Sequence, residues 1–317
     1  MVTFGHPMSP KLCSINIDLD EIPNYWAIHG LADRATGSQT AVYDVAVPRL
    51  CDLGRALDVP LTFFVIGEDL RRPEAARALA EATQTNAAQN GVGNHTLSHF
   101  YDLTRRDRAE ITREIDEGAK AIERVVGTRP QGFRAPGYTI TDEVFDVLRE
   151  LGVAYDSSVF PCPSYMALKD AAIASYAVLG RPSRSVIDTP AVLTAPTRPY
   201  RIGSPYWKRG DGLLELPIQV TRTLRLPYFG TSLMVAGVEG ARWLTKGVLG
   251  EPLVNLELHG IDVLDESDVG LDALAAHQRD LRVPVGKKLD VLAAVVETLR
   301  NDGYSFVTLD EGAARFA

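Results

Sequence analysis

The chain has 317 residues, of which 45% are hydrophobic and 23% charged, and its formal net charge is −8. This ordinary composition predicts a globular protein rather than a disordered or fibrous one. An acidic chain without a basic run is not expected to bind nucleic acid.

The cysteines and the N-terminal residues indicate the compartment. Cys13, Cys51 and Cys162 are odd in number and far apart, which argues against a disulfide framework or a four-cysteine zinc site and favours a reducing environment. Residues 1–12 contain no apolar signal core, and no apolar run reaches the ~18 residues of a membrane span. We therefore expect a cytoplasmic protein.

Strands and helices are predicted to alternate along most of the chain. Short apolar or alternating runs indicate strands, whereas the stripe of Ile111, Ile115, Ala119 and Ile122 is typical of an amphipathic helix. The predicted strands cover 12–17, 60–66, 153–160, 253–259 and 304–309, with a short one before Arg134, and the predicted helices cover 41–57, 73–82, 105–126, 142–151 and 287–302. The pattern favours one α/β domain closed as a barrel.

Other segments have weaker patterns. Residues 22–40 are predicted to form a long loop, and residues 161–225 are irregular apart from possible strands near 186–193 and 213–220. The apolar cluster Leu226–Val238 is interpreted as core or a subunit contact, with a membrane-facing patch as the alternative. The domain prediction is a single domain over 1–317 with an irregular insertion at about 161–250.

His95 and His99 form a candidate metal-binding pair. A separation of four residues would place both imidazoles on one face of a helical turn, within reach of one ion. Zinc proteases with this spacing have Glu directly after the first His, and Thr96 stands there instead. Two His supply only part of a metal site, so a third ligand must come from elsewhere.

Several polar groups follow predicted strands. Asp18 and Asp20 follow the first strand, Arg134 a short one, and His259 ends a late one, which is where α/β folds place catalytic groups. Asp20 with the histidine pair would make a two-His, one-carboxylate set. Zinc hydrolases and non-haem iron enzymes both use such sets, so the spacing does not select the metal.

Four motifs occur in one order along the chain. They are Asp18-x-Asp20, His95-x-x-x-His99, Phe133-Arg-Ala-Pro-Gly-Tyr138 and Leu258-His259. With them the sequence resembles the NodB-type polysaccharide deacetylases (carbohydrate esterase family four), in a subgroup with a spaced Asp-x-Asp, from about residue 12 to 160 and again near 253. The resemblance implies a distorted (β/α) barrel with a divalent ion, usually Zn²⁺, with Co²⁺, Ni²⁺ or Fe²⁺ as alternatives.

The resemblance also implies roles for individual residues. Asp20 and the histidine pair would be the metal ligands, Asp18 the general base, Arg134 the residue that orients Asp18, and His259 the general acid. Asp156 would orient His259 or would cap a strand end. These roles agree with amide hydrolysis, which needs a base for the water and an acid for the leaving amine.

Substrate contacts are expected from two segments. A backbone N–H near Gly137 and Tyr138 is the candidate donor to the developing oxyanion. Trp26 is predicted either to stack on a sugar ring or only to cover a loop.

Three functions are compatible with these motifs. The first is removal of an N-acyl group, most simply acetyl, from an amino sugar carried on a lipid, a nucleotide or a metabolite, with membrane-surface contact in the lipid case. The second is hydrolysis of a cyclic amide or ureide such as allantoin. The third is a non-catalytic sugar-binding barrel that has lost its chemistry. Separately, His259 taken without the other motifs is compatible with a hydrogen-bonded core residue.

Overall fold

The computed structural model describes residues 11–84, 89–181, 183–186 and 188–317, and a curved sheet forms its centre. Nine strands of these residues form the sheet in the order β6-β7-β5-β4-β3-β2-β1-β8, with β9 beside β1. All pairs are parallel except β6 with β7. The strands are β1 Lys11–Asp18, β2 Leu61–Val65, β3 Gly91–Asn94, β4 Gly132–Phe133, β5 Tyr155–Asp156, β6 Tyr200–Ile202, β7 Arg209–Glu215, β8 Leu253–His259 and β9 Tyr304–Phe306.

Helices join most of the strands. They are α1 Ile22–Ile28, α2 Val47–Leu57, α3 Pro73–Gln84, α4 Arg108–Val126, α5 Asp142–Glu150, α6 Pro163–Val178, α7 Gly230–Lys246, α8 Asp272–Ala275, α9 Val285–Asn301 and α10 Leu309–Ala313. The longest, α4, begins where the Asp107 side chain accepts a hydrogen bond from Glu110 N and ends at Gly127 in the left-handed conformation. No helix in the described part of the chain is both long and apolar enough to cross a membrane.

Strands β1 and β8 have an apolar outer face and a polar inner face, and both faces are buried. The outer residues Cys13, Ile15, Ile17, Val254, Leu256 and Leu258 belong to the main hydrophobic core. The inner residues are Ser14, Asn16, Asp18, Asn255, Glu257 and His259. Because strand side chains alternate, this pattern directs the polar side chains of both strands into the interior of the curved sheet, except Lys11, which pairs with Asp302.

Asn255 helps to curl the sheet on itself. Its amide Nδ2 donates to Leu216 O at 2.7 Å and to Pro217 O at 3.1 Å, and its backbone oxygen accepts from Gln219 N at 3.1 Å. Its Oδ1 accepts from Asn16 Nδ2 at 2.6 Å. The segment after β7 is thereby held against β8, and the predicted α/β fold with a distorted barrel is confirmed.

The structure differs from the prediction in the least regular segments. Residues 22–28 form α1 instead of loop, and α6 lies where no helix was predicted. The expected strand at 186–193 is wrong, because Pro190–Thr194 is a 3₁₀ turn. Residues of α6 are apolar on several sides, so they lack the single stripe by which a helix is recognised.

The remaining boundaries agree to within a few residues. The apolar cluster at 226–238 is mainly core, since Tyr228, Leu233 and Met234 are buried in it. Val235 points outward.

Replacing Asn255 with Leu is expected to lower the free energy of unfolding by about 2–4 kcal/mol, because buried carbonyls and the Asn16 amide would lose their partner. Urea unfolding measures the change. Asn301→Leu, at an exposed position in the last turn of α9, is the matched control and should change little. Equal stability of the two variants would contradict this role for Asn255.

Candidate functional site

The three predicted metal ligands converge in the structure. His95 Nε2 lies 3.3 Å from Asp20 Oδ1, and His99 Nε2 lies 3.2 Å from Asp20 Oδ2. The two Nε2 atoms are 3.1 Å apart, and all three side chains are buried. Residues from two distant stretches of sequence thus present their donor atoms to one point.

The donor set fits a divalent cation. In a tetrahedral site with ligand bonds of about 2.0–2.1 Å, neighbouring donor atoms are about 3.3 Å apart, close to the separations observed. His95 Nδ1 lies 2.7 Å from Arg134 O and must donate its proton there, which leaves the Nε2 lone pair facing the other donors. Among the described residues, Asp20 Oδ1 has no hydrogen-bond partner.

Both histidines lie in a loop, so the predicted helical turn is wrong. Strand β3 ends at Asn94, and the backbone φ is 69° at Thr96 and 54° at His99, in the left-handed region. Side chains stabilise this unusual backbone: Asn94 Oδ1 accepts from Thr96 N at 3.1 Å, and Thr96 Oγ1 accepts from His99 N at 3.0 Å. Glu114 of α4 accepts from Ser98 N at 2.8 Å.

Arg134 and Asp18 form a fully buried ion pair beside the ligand set. Arg134 Nη1 donates to Asp18 Oδ1 at 2.7 Å. Nε and Nη2 of the same guanidinium donate to Ser157 O and Ser157 Oγ, each at 2.8 Å, and the group lies 4.2 Å from the centre of the Phe64 ring. Asp18 Oδ2 has no donor among the described residues and lies 3.8 Å from His95 Nε2. The predicted contact between Arg134 and Asp18 is therefore present.

Glu257 is the carboxylate beside His259, and the sequence analysis missed it. Glu257 Oε1 lies 3.0 Å from His259 Nδ1. Of the two roles predicted for Asp156, the contacts match the strand-end cap, since its carboxylate accepts from Ser158 N at 2.9 Å and Ser158 Oγ at 2.8 Å just after β5. Alternation along β8 could have identified Glu257, because residues two apart on a strand share a face.

The charges around His259 favour its protonated form. Burial by itself would lower the pKa of His259, but the adjacent Glu257 carboxylate, with smaller contributions from Asp20 and Asp18, raises it well above its usual value. In the β1–β8 pairing, Asp18 is the partner of His259. The candidate base and the candidate acid thus lie side by side at the ends of neighbouring strands.

A cavity of about 340 Å³ opens over these groups. Gly137 and Tyr138 line it as predicted, and Tyr138 OH lies 3.4 Å from His259 Nε2. The Tyr138 N–H already donates to Ala135 O at 3.1 Å, so it is not a free oxyanion donor. Trp26 does not line the cavity, because its ring is buried in the core against His277, and its neighbour Tyr25 lines the wall instead.

Comparison with known proteins agrees with this fold. Residues 40–155 match the polysaccharide deacetylase family model, and no curated protein matches the chain. A Mycobacterium smegmatis structure assigned to the polysaccharide deacetylases is 20% identical, with a TM-score of 0.58 over 98% of this chain and 91% of that one. A CE4 family pseudoenzyme from Bacillus anthracis is 14% identical, with a TM-score of 0.50 over 98% of this chain and 67% of that one.

The predicted resemblance to the polysaccharide deacetylases is confirmed by this family match and by the neighbouring folds. At these identities the solved structures establish the fold alone. The spaced Asp-x-Asp subgroup stays a prediction, and the activity of this chain has to be argued from its own side chains.

Replacing His95 with Ala is expected to weaken zinc binding by about 100-fold or more, because one of the converging donors is removed. The wild type should bind about one zinc per chain and gain thermal stability on binding. Elemental analysis after dialysis and thermal unfolding with and without zinc measure both effects. His277→Ala, at an exposed histidine, is the control, and stoichiometric tight zinc in His95→Ala would contradict the assignment.

Proposed function

We propose that this chain, which has the fold of the polysaccharide deacetylases, is a metal-dependent hydrolase that removes an N-acyl group from an amino sugar. The observation that carries the proposal is the convergence of a complete set of groups. A ligand set, a carboxylate held by arginine, and an imidazole held by a carboxylate all border one cavity. Metal-dependent amide hydrolysis uses a metal site, a base for the water and an acid for the leaving amine.

Asp20, His95 and His99 would hold the cation. A divalent cation at this position supplies a Lewis acid that polarises the amide carbonyl and acidifies water. Zinc is the proposed ion, because the donor set is compatible with it and the resemblance to the polysaccharide deacetylases implies it.

Asp18 is proposed as the base that removes the proton of the attacking water. Arg134 occupies Oδ1 and fixes the carboxylate plane, so Oδ2 stays directed toward the ligand set. Because Arg134 is itself held by Ser157 and Phe64, the carboxylate does not have to reorganise when the water attacks.

His259 is proposed as the acid that protonates the leaving nitrogen. Its Nδ1 faces Glu257, so Nε2, beside Tyr138 OH, is the atom directed to the cavity. Proton transfer from Nε2 allows the C–N bond to break with the electron pair on nitrogen, and the products are a carboxylic acid and an amine. The raised pKa of His259 keeps this proton available at neutral pH.

A catalytic deacylase needs the acid and the base, whereas a non-catalytic sugar-binding barrel needs neither. The Bacillus anthracis neighbour is a pseudoenzyme, so this fold alone does not guarantee catalysis, and a sugar-binding barrel is the second candidate. The intact acid and base favour an enzyme. The cytoplasmic location and a lipid, nucleotide or metabolite carrier stay predictions.

Asp18→Asn and His259→Ala are each expected to lower kcat/KM by about 100-fold or more, because each removes one proton-transfer group. The assay is amine release from N-acetylated sugars by the full chain supplied with zinc. His277→Ala should behave as the wild type. Full activity in Asp18→Asn would rule out the assigned base, and selective hydrolysis of cyclic ureides would point to the allantoinase-like alternative.

Glu257→Gln is expected to shift the alkaline limb of the kcat/KM profile to lower pH by about 1 unit or more, since the carboxylate raises the pKa of His259. Removing that charge lets His259 lose its proton at lower pH, so the acid is lost earlier as pH rises. The control is Glu266→Gln at an exposed site. An unchanged alkaline limb in Glu257→Gln would mean that another group sets it.

A further inference from the structure

Helix α6 borders the cavity and contacts the rest of the structure at three points along its length. Near its start, the Tyr165 ring contacts Phe229, with centroids 5.9 Å apart. In its middle, Lys169 Nζ donates to Gly137 O at 2.9 Å. Near its end, Tyr176 OH lies 2.8 Å from His29 Nδ1. At 1.5 Å per residue, the 16-residue helix is about 24 Å long, and its residues from Tyr165 to Tyr176 contribute to the cavity lining.

The composition of α6 is unusual for a helix in this position. Lys169 and Asp170 are its charged residues, and none of its residues is fully buried. An apolar helix normally buries its apolar residues in a core. Here the half-buried residues Ala172 and Ile173 line the cavity instead of packing on a hydrophobic core.

The wall away from the catalytic groups is largely apolar and aromatic. Its members come from α1, α6, the loop after His99 and the start of α7. They include Ile28, Tyr101, Tyr165, Leu168, Ile173 and Phe229. A wall of this kind lowers the free energy of a bound ligand in proportion to the apolar area that the ligand buries. Polar side chains, among them Lys169, Ser183 and Gln278, line other parts of the same cavity.

We propose that the substrate carries an apolar group, of ring or short-chain size, close to the scissile amide, and that α6 covers this group. This inference rests on the proposed amide hydrolysis for the reacting end of the substrate. The cavity of about 340 Å³ beside α6 is of the size of a single amphiphilic unit rather than of a polymer segment. The apolar group could belong to the N-acyl chain or to the aglycone, since the wall recognises both by the same chemistry.

The test compares four compounds with the full chain supplied with zinc. The reference is methyl N-acetyl-β-glucosaminide. Its N-hexanoyl analogue extends the acyl side, phenyl N-acetyl-β-glucosaminide extends the aglycone side, and tetra-N-acetylchitotetraose represents a polymer. We expect at least one extended compound to exceed the reference about 10-fold or more in kcat/KM, and the tetrasaccharide to fall below it. The better of the two extended compounds identifies the side on which the apolar group lies.

Two matched substitutions on α6 test the location. Ala172→Asn places an amide in the cavity, and Ala174→Asn places the same amide on the exposed side of the same helix. Ala172→Asn is expected to reduce the ratio of kcat/KM for the extended compound to kcat/KM for the reference about 5-fold or more. Ala174→Asn is expected to leave kcat/KM unchanged for the extended compound and for the reference. Equal effects of the two substitutions would overturn the proposal that α6 covers the apolar group.

Dissociation constants measured by calorimetry with the His259→Ala variant separate the proposed apolar site from the proposed amide hydrolysis. Tighter binding of an extended compound than of the reference, with no hydrolysis of any compound by the wild type, supports the apolar site and contradicts the proposed function. Equal dissociation constants for the extended compounds and the reference overturn the apolar site, even where amine release confirms the deacylase.

Discussion

The pairing of β1 with β8 is the constraint on which the site depends. Its parallel register makes Asp18 the partner of His259 and Asn16 the partner of Glu257. Since every second side chain of both strands points into the curled sheet, four polar residues are brought together without any loop to position them. A register shift of one residue would replace these groups by the apolar side chains of the outer face.

Burying these charges is tolerated because the main charged side chains of the site face groups of opposite charge. A buried charge without one would cost several kcal/mol. Arg134 neutralises Asp18 and is held by Ser157 on a neighbouring segment, and Glu257 faces His259. The atoms that lack a donor among the described residues include Asp18 Oδ2 and Asp20 Oδ1, which border the ligand set. Asp18 Oδ2 and Asp20 Oδ1 are thus available to a cation or a water, and both carboxylate oxygens of Glu257 also lack a hydrogen-bond partner within the described part of the chain.

The loop that carries His95 and His99 has a strained backbone, which contacts with the rest of the fold stabilise. Left-handed backbone at Thr96 and His99 is unfavourable for residues other than glycine. The loop is compressed against α4, where a Cβ at Gly118 would come within 2.7 Å of Asn94 Oδ1 and of the Thr96 backbone. Close packing of α4 on the loop, with the bonds to Glu114, therefore holds both imidazoles toward Asp20.

The amino-acid sequence by itself determined the strands that carry the site and most of the residue types in it. Alternation in residues 12–17 and 253–259 located β1 and β8, and the order of four motifs located Asp18, Asp20, both histidines, Arg134 and His259. These inferences succeed because strand periodicity and metal-ligand chemistry are local properties that can be recognised without knowing the fold.

Only the tertiary structure decided which side chains meet. The Asp156 carboxylate is bonded to Ser158 rather than to His259, because β5 and β8 are not neighbours in the sheet. The histidines lie in a loop held by contacts with a helix, and Trp26 turned into the core. The apolar helix α6 has no periodic signal, since it lies over a cavity rather than on a core. Each of these features is set by contacts between segments distant in sequence, which local pattern does not encode.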